Sequence, residues 1–295
     1  MNNKYILITA ARNEEDYIEK TITSVISQSV LPTKWVIVSD GSIDRTDEIV
    51  ESYLKQYSFI QFIKNSGDKE RNFGSKAKAI MFAYSLVKDL DFNYVGILDA
   101  DISFDSDYYN DLLAKISFDD EIGIAGGMRF DLCRGKFKKV YCAPDSVGGP
   151  FQFFAKECFE QIGGYKSLIF GGIDIVAEVT AKMYGWKVKP YSDLTLYHHR
   201  CTGSGGDKLL KNYAYQGFKL HSLGYNSISI LFKFSRLIFD KPMFIGSLTS
   251  VGSYYLAKIK GDKIQVSEEF VKHLNGEQKE KMKLGFQKIF SKFFV

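Results

Sequence analysis

Through its first hundred positions the chain alternates short, continuously apolar runs with stretches whose apolar residues recur every three or four positions. Tyr5-Ile6-Leu7-Ile8-Thr9-Ala10 is apolar on both faces, as a strand covered on two sides must be. Ile18, Ile22, Val25 and Ile26 follow at helical spacing, and Trp35-Val36-Ile37-Val38-Ser39 reads as a second strand. Asp44 is placed to cap the next helix, whose inner stripe is Ile49, Val50, Tyr53, Leu54 and Tyr57. Phe59 to Ile63 is predicted as a third strand. Ser75 to Lys88 is predicted as a helix with Ala79, Phe82, Ala83 and Leu86 inward, and Tyr94 to Leu98 as a fourth strand ending at Asp99. Strands separated by helices of this length imply right-handed crossovers and an α/β fold with a mostly parallel, Rossmann-like sheet flanked by helices.

The second half is less regular. Ile122 to Arg129 reads as a strand, Gly148-Gly149-Pro150 and Gly163-Gly164 as turns, and about Ile175 to Tyr184 as a helix. Lys187 to Tyr191 and Leu194 to Tyr197 are strand-like. Near Gly224 the composition shifts to aromatic, Lys-rich helical segments such as Ile230 to Leu237. The predicted organisation is therefore one large domain over residues 1–224 and a helical C-terminal extension over 225–295, without internal repeats.

Composition narrows the function only a little. Of 295 residues, 45% are hydrophobic and 25% charged, which is ordinary for a globular protein and excludes extensive disorder. A net charge of +4 suits an anionic ligand or a membrane surface and does not indicate nucleic acid. Cys133, Cys142, Cys158 and Cys201 form no C-x-x-C pair, so neither a zinc site nor a disulfide scaffold is expected, and reduced thiols in the cytoplasm are the simplest account. Met1 to Lys4 leads straight into the first strand with no apolar leader. Phe239 to Ala257, the nearest approach to a spanning helix, is interrupted by Asp240, Lys241 and Pro242.

Candidate chemistry concentrates where strands end, because ligands of open α/β sheets collect at the carboxyl edge. Asp99-Ala100-Asp101 places two carboxylates just past a buried strand, a pattern suited to Mn²⁺ or Mg²⁺ and through it to a diphosphate. Ala11-Arg12-Asn13-Glu14 and Asp40-Gly41-Ser42 follow the first and second strands, and Asp40 is placed to accept hydrogen bonds from a base or ribose. Arg71 and Lys76 flank a helix start, where phosphate is favoured. This is no Walker loop, and no G-x-G-x-x-G follows the first strand. Asp174 is a general base for an acceptor hydroxyl or a plain helix N-cap. Of His198 and His199, one is placed to complete a metal site or meet the diphosphate, or the two are simply a half-buried imidazole beside an exposed one; Gly203 to Gly206 reads as a flap over the donor.

Taken together, Ala11-Arg12-Asn13-Glu14-Glu15, Asp40-Gly41-Ser42-Ile43-Asp44-Arg45-Thr46, Asp99-Ala100-Asp101 and His198-His199-Arg200 resemble the motifs of glycosyltransferase family 2, in their order and spacing. Gly148-Gly149-Pro150-Phe151-Gln152-Phe153-Phe154 and Cys158 to Tyr165 are similar to that family's acceptor-side stretch. The resemblance covers Tyr5 to about Gly224 and implies a GT-A fold. It implies an inverting transfer of a sugar, from a nucleotide-diphosphate donor with UDP-sugar favoured, to a hydroxyl of a glycan or lipid-linked glycan in cell-surface or exopolysaccharide synthesis. On this resemblance Ala11, Arg12, Glu14, Asp40, Arg71, Lys76, Asp99 and Ala100 bind the donor, and Asp40 contacts the base. Asp101 binds the divalent metal with His199, His198 being the less favoured partner, and Asp174 is the base. Where the family usually carries Glu-Asp, this chain has Ile173-Asp174. The extension is expected either to rest peripherally on an anionic membrane at the inner face of the plasma membrane or to pack on the catalytic domain or a twin subunit. The competing readings are a sugar nucleotidyltransferase, whose Gly-rich Arg-Lys loop is missing here, and a non-catalytic nucleotide- or glycan-binding protein.

Overall fold

The computed structural model describes residues 4–65, 73–201, 209–235 and 244–293. The chain divides into two compact units, Met1–Ile169 with Ile173–Thr202, and Phe170–Gly172 with Gly203–Val295.

The first unit is built on β1 (Tyr5–Ala11), α1 (Ile18–Ile26), β2 (Lys34–Asp40), α2 (Thr46–Leu54), β3 (Ile60–Asn65), α3 (Phe73–Val87), β4 (Tyr94–Leu98), β5 (Ile102–Ser103), α4 (Tyr108–Ile116), β6 (Ile122–Cys133), β7 (Lys136–Lys139), β8 (Phe151–Ala155), α5 (Lys156–Gln161), α6 (Ile173–Met183) and β9 (Lys187–His198). The second unit holds α7 (Leu209–Ser222), α8 (Ser227–Ser235), α9 (Ile245–Lys260) and α10 (Glu268–Phe293). It starts ahead of the compositional shift near Gly224, because α7 packs against α9.

One sheet runs through the first unit in the order β3-β2-β1-β4-β8-β6-β9-β5, with β7 on β6. Strands β3, β2, β1 and β4 are parallel, as the helical crossovers between them require. Beyond β4 the sheet is mixed: β8 is antiparallel to β4 and to β6, whereas β6 and β9 run parallel. The antiparallel β8 brings the turn before it, residues 146–150, back to the edge at which β4 ends.

The sequence pattern held for the buried strands, since Ile6, Leu7, Ile8, Trp35, Val36, Ile37 and Val38 are all inaccessible to solvent. Burying each such side chain contributes about 1.5–3 kcal/mol, so this layer is the unit's rigid base. Helix α3 departs from the expected face. Ala79 and Ala83 are buried as predicted, but Phe82 and Leu86 are each 48% exposed, and Ile80, Tyr84 and Val87 are inside. The helix is apolar on most of its circumference, so periodicity alone did not select the stripe.

Cys133 and Cys201 form a disulfide, which corrects the expectation of four reduced thiols; Cys142 and Cys158 are free. The physical reason is long-range. Asp131 pairs with His198 in the β6–β9 register, so the ends of these strands meet although the cysteines are 68 positions apart. Among the described residues no helix is long and apolar enough to cross a membrane.

Candidate active site

Three strand ends and the start of one helix converge at the carboxyl edge of β1, β2 and β4. After β1, Asn13 takes a left-handed backbone (φ 56°) that non-glycine residues rarely adopt. It is held by reciprocal bonds to the turn after β2: Asn13 N donates to Ser42 Oγ at 3.2 Å, and Ile43 N to Asn13 Oδ1 at 2.9 Å. Gly41 (φ 71°) supplies the other half of that turn. The two loops are thus locked together. Ala11 is buried, Arg12 lies 3.8 Å from the buried Asp40 carboxylate, and Glu14 is turned toward Arg200.

Asp44 stands one residue ahead of the N-cap position of α2, and its carboxylate accepts from Thr46 N, the first residue of the helix, at 3.0 Å and from Glu15 N at 3.1 Å, joining the helix start to the loop after β1.

At the end of β4, Asp99 is ion-paired with Lys76 of α3. Burial raises the Asp99 carboxyl above its ordinary range, with Lys76 opposing the shift. Burial in turn pulls the Lys76 ammonium down, but the carboxylates of Asp99, Asp101 and Asp174 outweigh it and leave its pKa above the ordinary value. Lys76 therefore sits in the common field of the three carboxylates that the sequence singled out. Ala100 is buried between the two aspartates of the motif.

Asp101 is nearly buried and meets two cations through Oδ2: His198 Nε2 at 3.2 Å and Arg200 Nε at 3.1 Å. His198 is the histidine in contact with Asp101; His199 bonds Ser103 Oγ at 2.8 Å and sits beside the Phe137 ring. Adjacent strand residues face opposite ways, and His198 at the end of β9 points inward. Burial would lower the His198 pKa, but its bonds to Asp101 and to Asp131 (Nδ1 to Oδ1, 3.0 Å) raise it to about 9. In the free chain the imidazolium thus supplies the positive charge between these two carboxylates. Burial lowers the His199 pKa instead.

Whether a divalent cation fits is decided by one atom. Asp101 Oδ1 is buried and has no hydrogen-bond partner among the described residues, an arrangement that disfavours the folded state unless something fills it. Among the described residues no three His, Cys, Asp or Glu side chains form a ready-made metal cage. Magnesium-type ions seldom need one, because one or two carboxylates suffice when substrate phosphates supply the remaining oxygens. Asp101, with His198 beside it, fits a cation shared with a diphosphate.

Asp174 is the second residue of α6, inside the helix rather than at its N-cap, where the helix dipole favours a carboxylate. A Cβ placed on Gly149 would lie 2.5 Å from Asp174 Oδ2, so the turn before β8 passes directly over the carboxylate. Arg71 and the flap Gly203 to Gly206 lie outside the described residues, as do Arg236 and Lys241 of the extension.

Sequence reasoning missed Asp131 and Glu178, and gave no individual role to Arg200 and Gly149, which lie in stretches that carry the family resemblance. Arg200 joins Glu14 to Asp101 and stacks its guanidinium 4.7 Å from the centre of the Tyr17 ring. No local signal marks Asp131 or Glu178, and none assigns a contact to Arg200 or Gly149; the β6–β9 register and the path of the 146–150 turn bring them in.

The sequence profile described as Glycosyl transferase family 2 matches residues 6–164, more than half of the chain. Poly-beta-1,6-N-acetyl-D-glucosamine synthase of Staphylococcus epidermidis is 26% identical over 181 residues, covering 53% of this chain and 40% of the synthase. Glycosyltransferase GlyA of Streptococcus pneumoniae serotype 4 is 27% identical over 141 residues, covering 46% of this chain and 18% of GlyA. The matched regions thus span less than half the length of either relative. Among solved structures, the mannosyltransferase PcManGT from Pyrobaculum calidifontis in complex with GDP-Man and Mn2+ superposes with a TM-score of 0.56 at 14% identity, covering 96% of this chain and 81% of that one. S. aureus TarS 1-349 in complex with UDP-GlcNAc gives 0.55 at 14% identity, covering 92% and 78%. At such identities the likeness is one of fold, and the fold is of the GT-A type with a helical C-terminal part.

Proposed function

This chain belongs to glycosyl transferase family 2, and on that premise we propose that it moves a sugar from a nucleoside-diphosphate donor to a hydroxyl acceptor with inversion at the anomeric carbon. The observation that supports this reading best is the clustering of three carboxylates at one edge: Asp99 ion-paired with Lys76, Asp101 with a buried oxygen that no described residue meets, and Asp174 under Gly149, whose neighbour Pro150 accepts from Asp99 N.

The proposed roles are supported by position. Asp40 and Arg12, at the ends of β2 and β1, meet the base and ribose, with Ala11 and Glu14 completing that wall. Lys76 and Asp99 orient the donor sugar and its diphosphate. Asp174 takes the proton of the acceptor hydroxyl as its oxygen attacks the anomeric carbon. The bond to the diphosphate breaks on the opposite side, and its electron pair leaves with the phosphate. Holding both reactants in line supplies much of the acceleration, and no covalent sugar intermediate is needed. Asp101 and His198 would hold a Mn²⁺ or Mg²⁺ ion, which when bound offsets the charge of the leaving diphosphate. PcManGT was solved with GDP-Man and Mn2+ and TarS with UDP-GlcNAc, which supports a nucleotide-sugar donor, taken here as a UDP-sugar. The synthase relatives support a glycan or lipid-linked glycan acceptor in exopolysaccharide or cell-surface synthesis.

The test is thermal unfolding with UDP-N-acetylglucosamine, UDP-glucose, GDP-mannose and dTDP-glucose, each with and without Mn²⁺. One donor at 100 times its Kd is expected to stabilise the protein by about 2.7 kcal/mol, a rise of roughly 5–10 °C, only when metal is present. Absence of a shift with every donor overturns the assignment.

The second unit is proposed to rest on an anionic bilayer. Helix α9 leaves Ile245, Leu248, Leu256 and Ile259 exposed, carries no acidic residue, and has Lys258 and Lys260 in its last turn. Apolar and basic groups together match a negatively charged lipid surface. Co-sedimentation with phosphatidylglycerol vesicles, but not with phosphatidylcholine ones, is expected. A dimer that ignores both vesicles would assign this face to a second copy of the chain.

A further inference from the structure

One buried carboxyl group in the first unit is used by none of the roles above. Glu178 is 6% exposed and lies one helical turn beyond Asp174 on α6, so the two carboxylates share a face of the helix. Three donors converge on it. Ser146 Oγ donates to Oε2 at 2.8 Å, while Val147 N and Gln152 Nε2 donate to Oε1 at 2.7 and 3.0 Å. Gln152 in turn accepts from the Tyr165 hydroxyl at 2.5 Å. All three donors belong to the segment that runs through Gly148-Gly149-Pro150 into β8. Lys182, a further turn along α6, adds a 2.8 Å bond to Asp145 at the start of the same segment.

This segment touches both sides of the candidate site. Gly149 faces Asp174 so closely that a side chain there would displace the carboxylate. One residue later, the Pro150 carbonyl accepts from Asp99 N at 2.9 Å, and Phe151 pairs with Leu98 in the β8–β4 register. A continuous path of hydrogen bonds and covalent bonds therefore runs from α6 through Glu178 and the turn to the aspartates after β4. Glu178 is its anchor.

We propose that Glu178 is a positioning residue: by fixing the 146–150 turn it holds Gly149 against Asp174 and sets the distance between the base and the donor carboxylates. This rests on the reading of Asp174 as base. A hydrophobic residue would fill the same space, but it would leave the Val147 N–H and the Gln152 amide without acceptors. The turn would then settle elsewhere. Glutamine, by contrast, keeps both acceptor bonds through its carbonyl oxygen and can donate to the Ser146 hydroxyl.

The experiment measures release of nucleoside diphosphate from whichever donor of the panel shifts the melting temperature most, with Mn²⁺ present and water standing in for the acceptor hydroxyl. Glu178→Leu is expected to lower kcat by about 10–100-fold, since a displacement of about 1 Å at a reacting group costs that order. Its Kd for the donor should stay within about twofold, and Glu178→Gln should keep kcat within about threefold. Gly149→Ala, which disturbs the contact from the other side without emptying a buried space, should show the same loss of kcat with donor binding intact. The double variant Gly149→Ala/Glu178→Leu should lose no more than the worse single one, because both break one arrangement. Should Glu178→Leu fail to fold, Gly149→Ala and Glu178→Gln still decide the matter. Normal kcat in Gly149→Ala, a Glu178→Gln enzyme as slow as the leucine variant, or donor affinity falling in step with kcat would each overturn the role. Asp174→Asn is measured alongside. If it turns over normally, base and positioning fall together; if it is inactive while Glu178→Leu and Gly149→Ala are normal, only the positioning role falls.

Discussion

Asp174→Asn is expected to reduce sugar transfer by about 10³-fold while leaving the affinity for nucleotide donor within about twofold, because general-base catalysis contributes 10²–10⁴ and the amide cannot accept a proton at neutral pH. Asparagine has nearly the same shape, so the contact with Gly149 survives and the first turn of α6 is not disrupted. Only the proton-accepting oxygen is lost. Turnover with the best donor of the panel, together with the donor-induced thermal shift, checks both halves of the expectation. Turnover at the normal rate would leave Asp174 a helix-end carboxylate with no part in the chemistry. A lost thermal shift would place it in donor binding instead.

Glu178→Gln should stabilise the protein more at pH 8 than at pH 4, by about 3 kcal/mol. Burial is the largest influence on Glu178 and raises its pKa to about 7 from the ordinary 4.5. The hydrogen bonds from Ser146 and Val147 and the nearby Lys182 lower it, and Asp174 raises it. The sign follows from which state holds the proton. Between pH 4.5 and 7 the unfolded chain ionises at this position while the folded one does not, so unfolding releases a proton and stability falls as pH rises. Below that window there is no penalty, and above it the penalty is constant. About 2.5 pH units at ~1.4 kcal/mol each give the stated size. Glutamine does not titrate, so the difference in unfolding free energy between variant and wild type should open across this window. Urea unfolding at pH 4, 6 and 8 measures it. A difference that stays flat with pH would mean that the folded protein holds Glu178 at its ordinary pKa.

The two variants bear on different links of the same helix. Asp174, second residue of α6 and partly exposed, is proposed to act on rate. Glu178 faces the interior, where a carboxylate opposes stability, and its value lies in geometry. A chain selected for stability alone would not place an ionisable group there.

What was legible in the sequence is what local pattern encodes. Continuous apolar runs marked β1, β2 and β4 because strands covered on both faces admit little else. Polar residues directly after them had to lie at one edge, because helical crossovers keep such strands parallel. Ala11 to Glu14, Asp40 and the Asp99–Asp101 motif are therefore assigned to that edge by the sequence pattern. Asp174 is found with them through the family resemblance rather than by its spacing, since an aspartate at a helix start has a plainer reading.

The rest depended on which distant segments lie side by side. His198 and His199 are neighbours, and only the pairing of β9 with β5 and β6 determines that the first ring meets Asp101 and Asp131 while the second meets Ser103. The same register joins Cys133 to Cys201 and brings Arg200 to Glu14. The antiparallel return of β8 carries Gly149 over Asp174 and Val147 onto Glu178. By itself the sequence determined the strands, the edge at which they end and the carboxylates on it, because those are set by periodicity within a few residues. Tertiary structure alone decided which imidazole, which guanidinium and which turn lie against those carboxylates, because a hydrogen bond depends on separation in space and not along the chain.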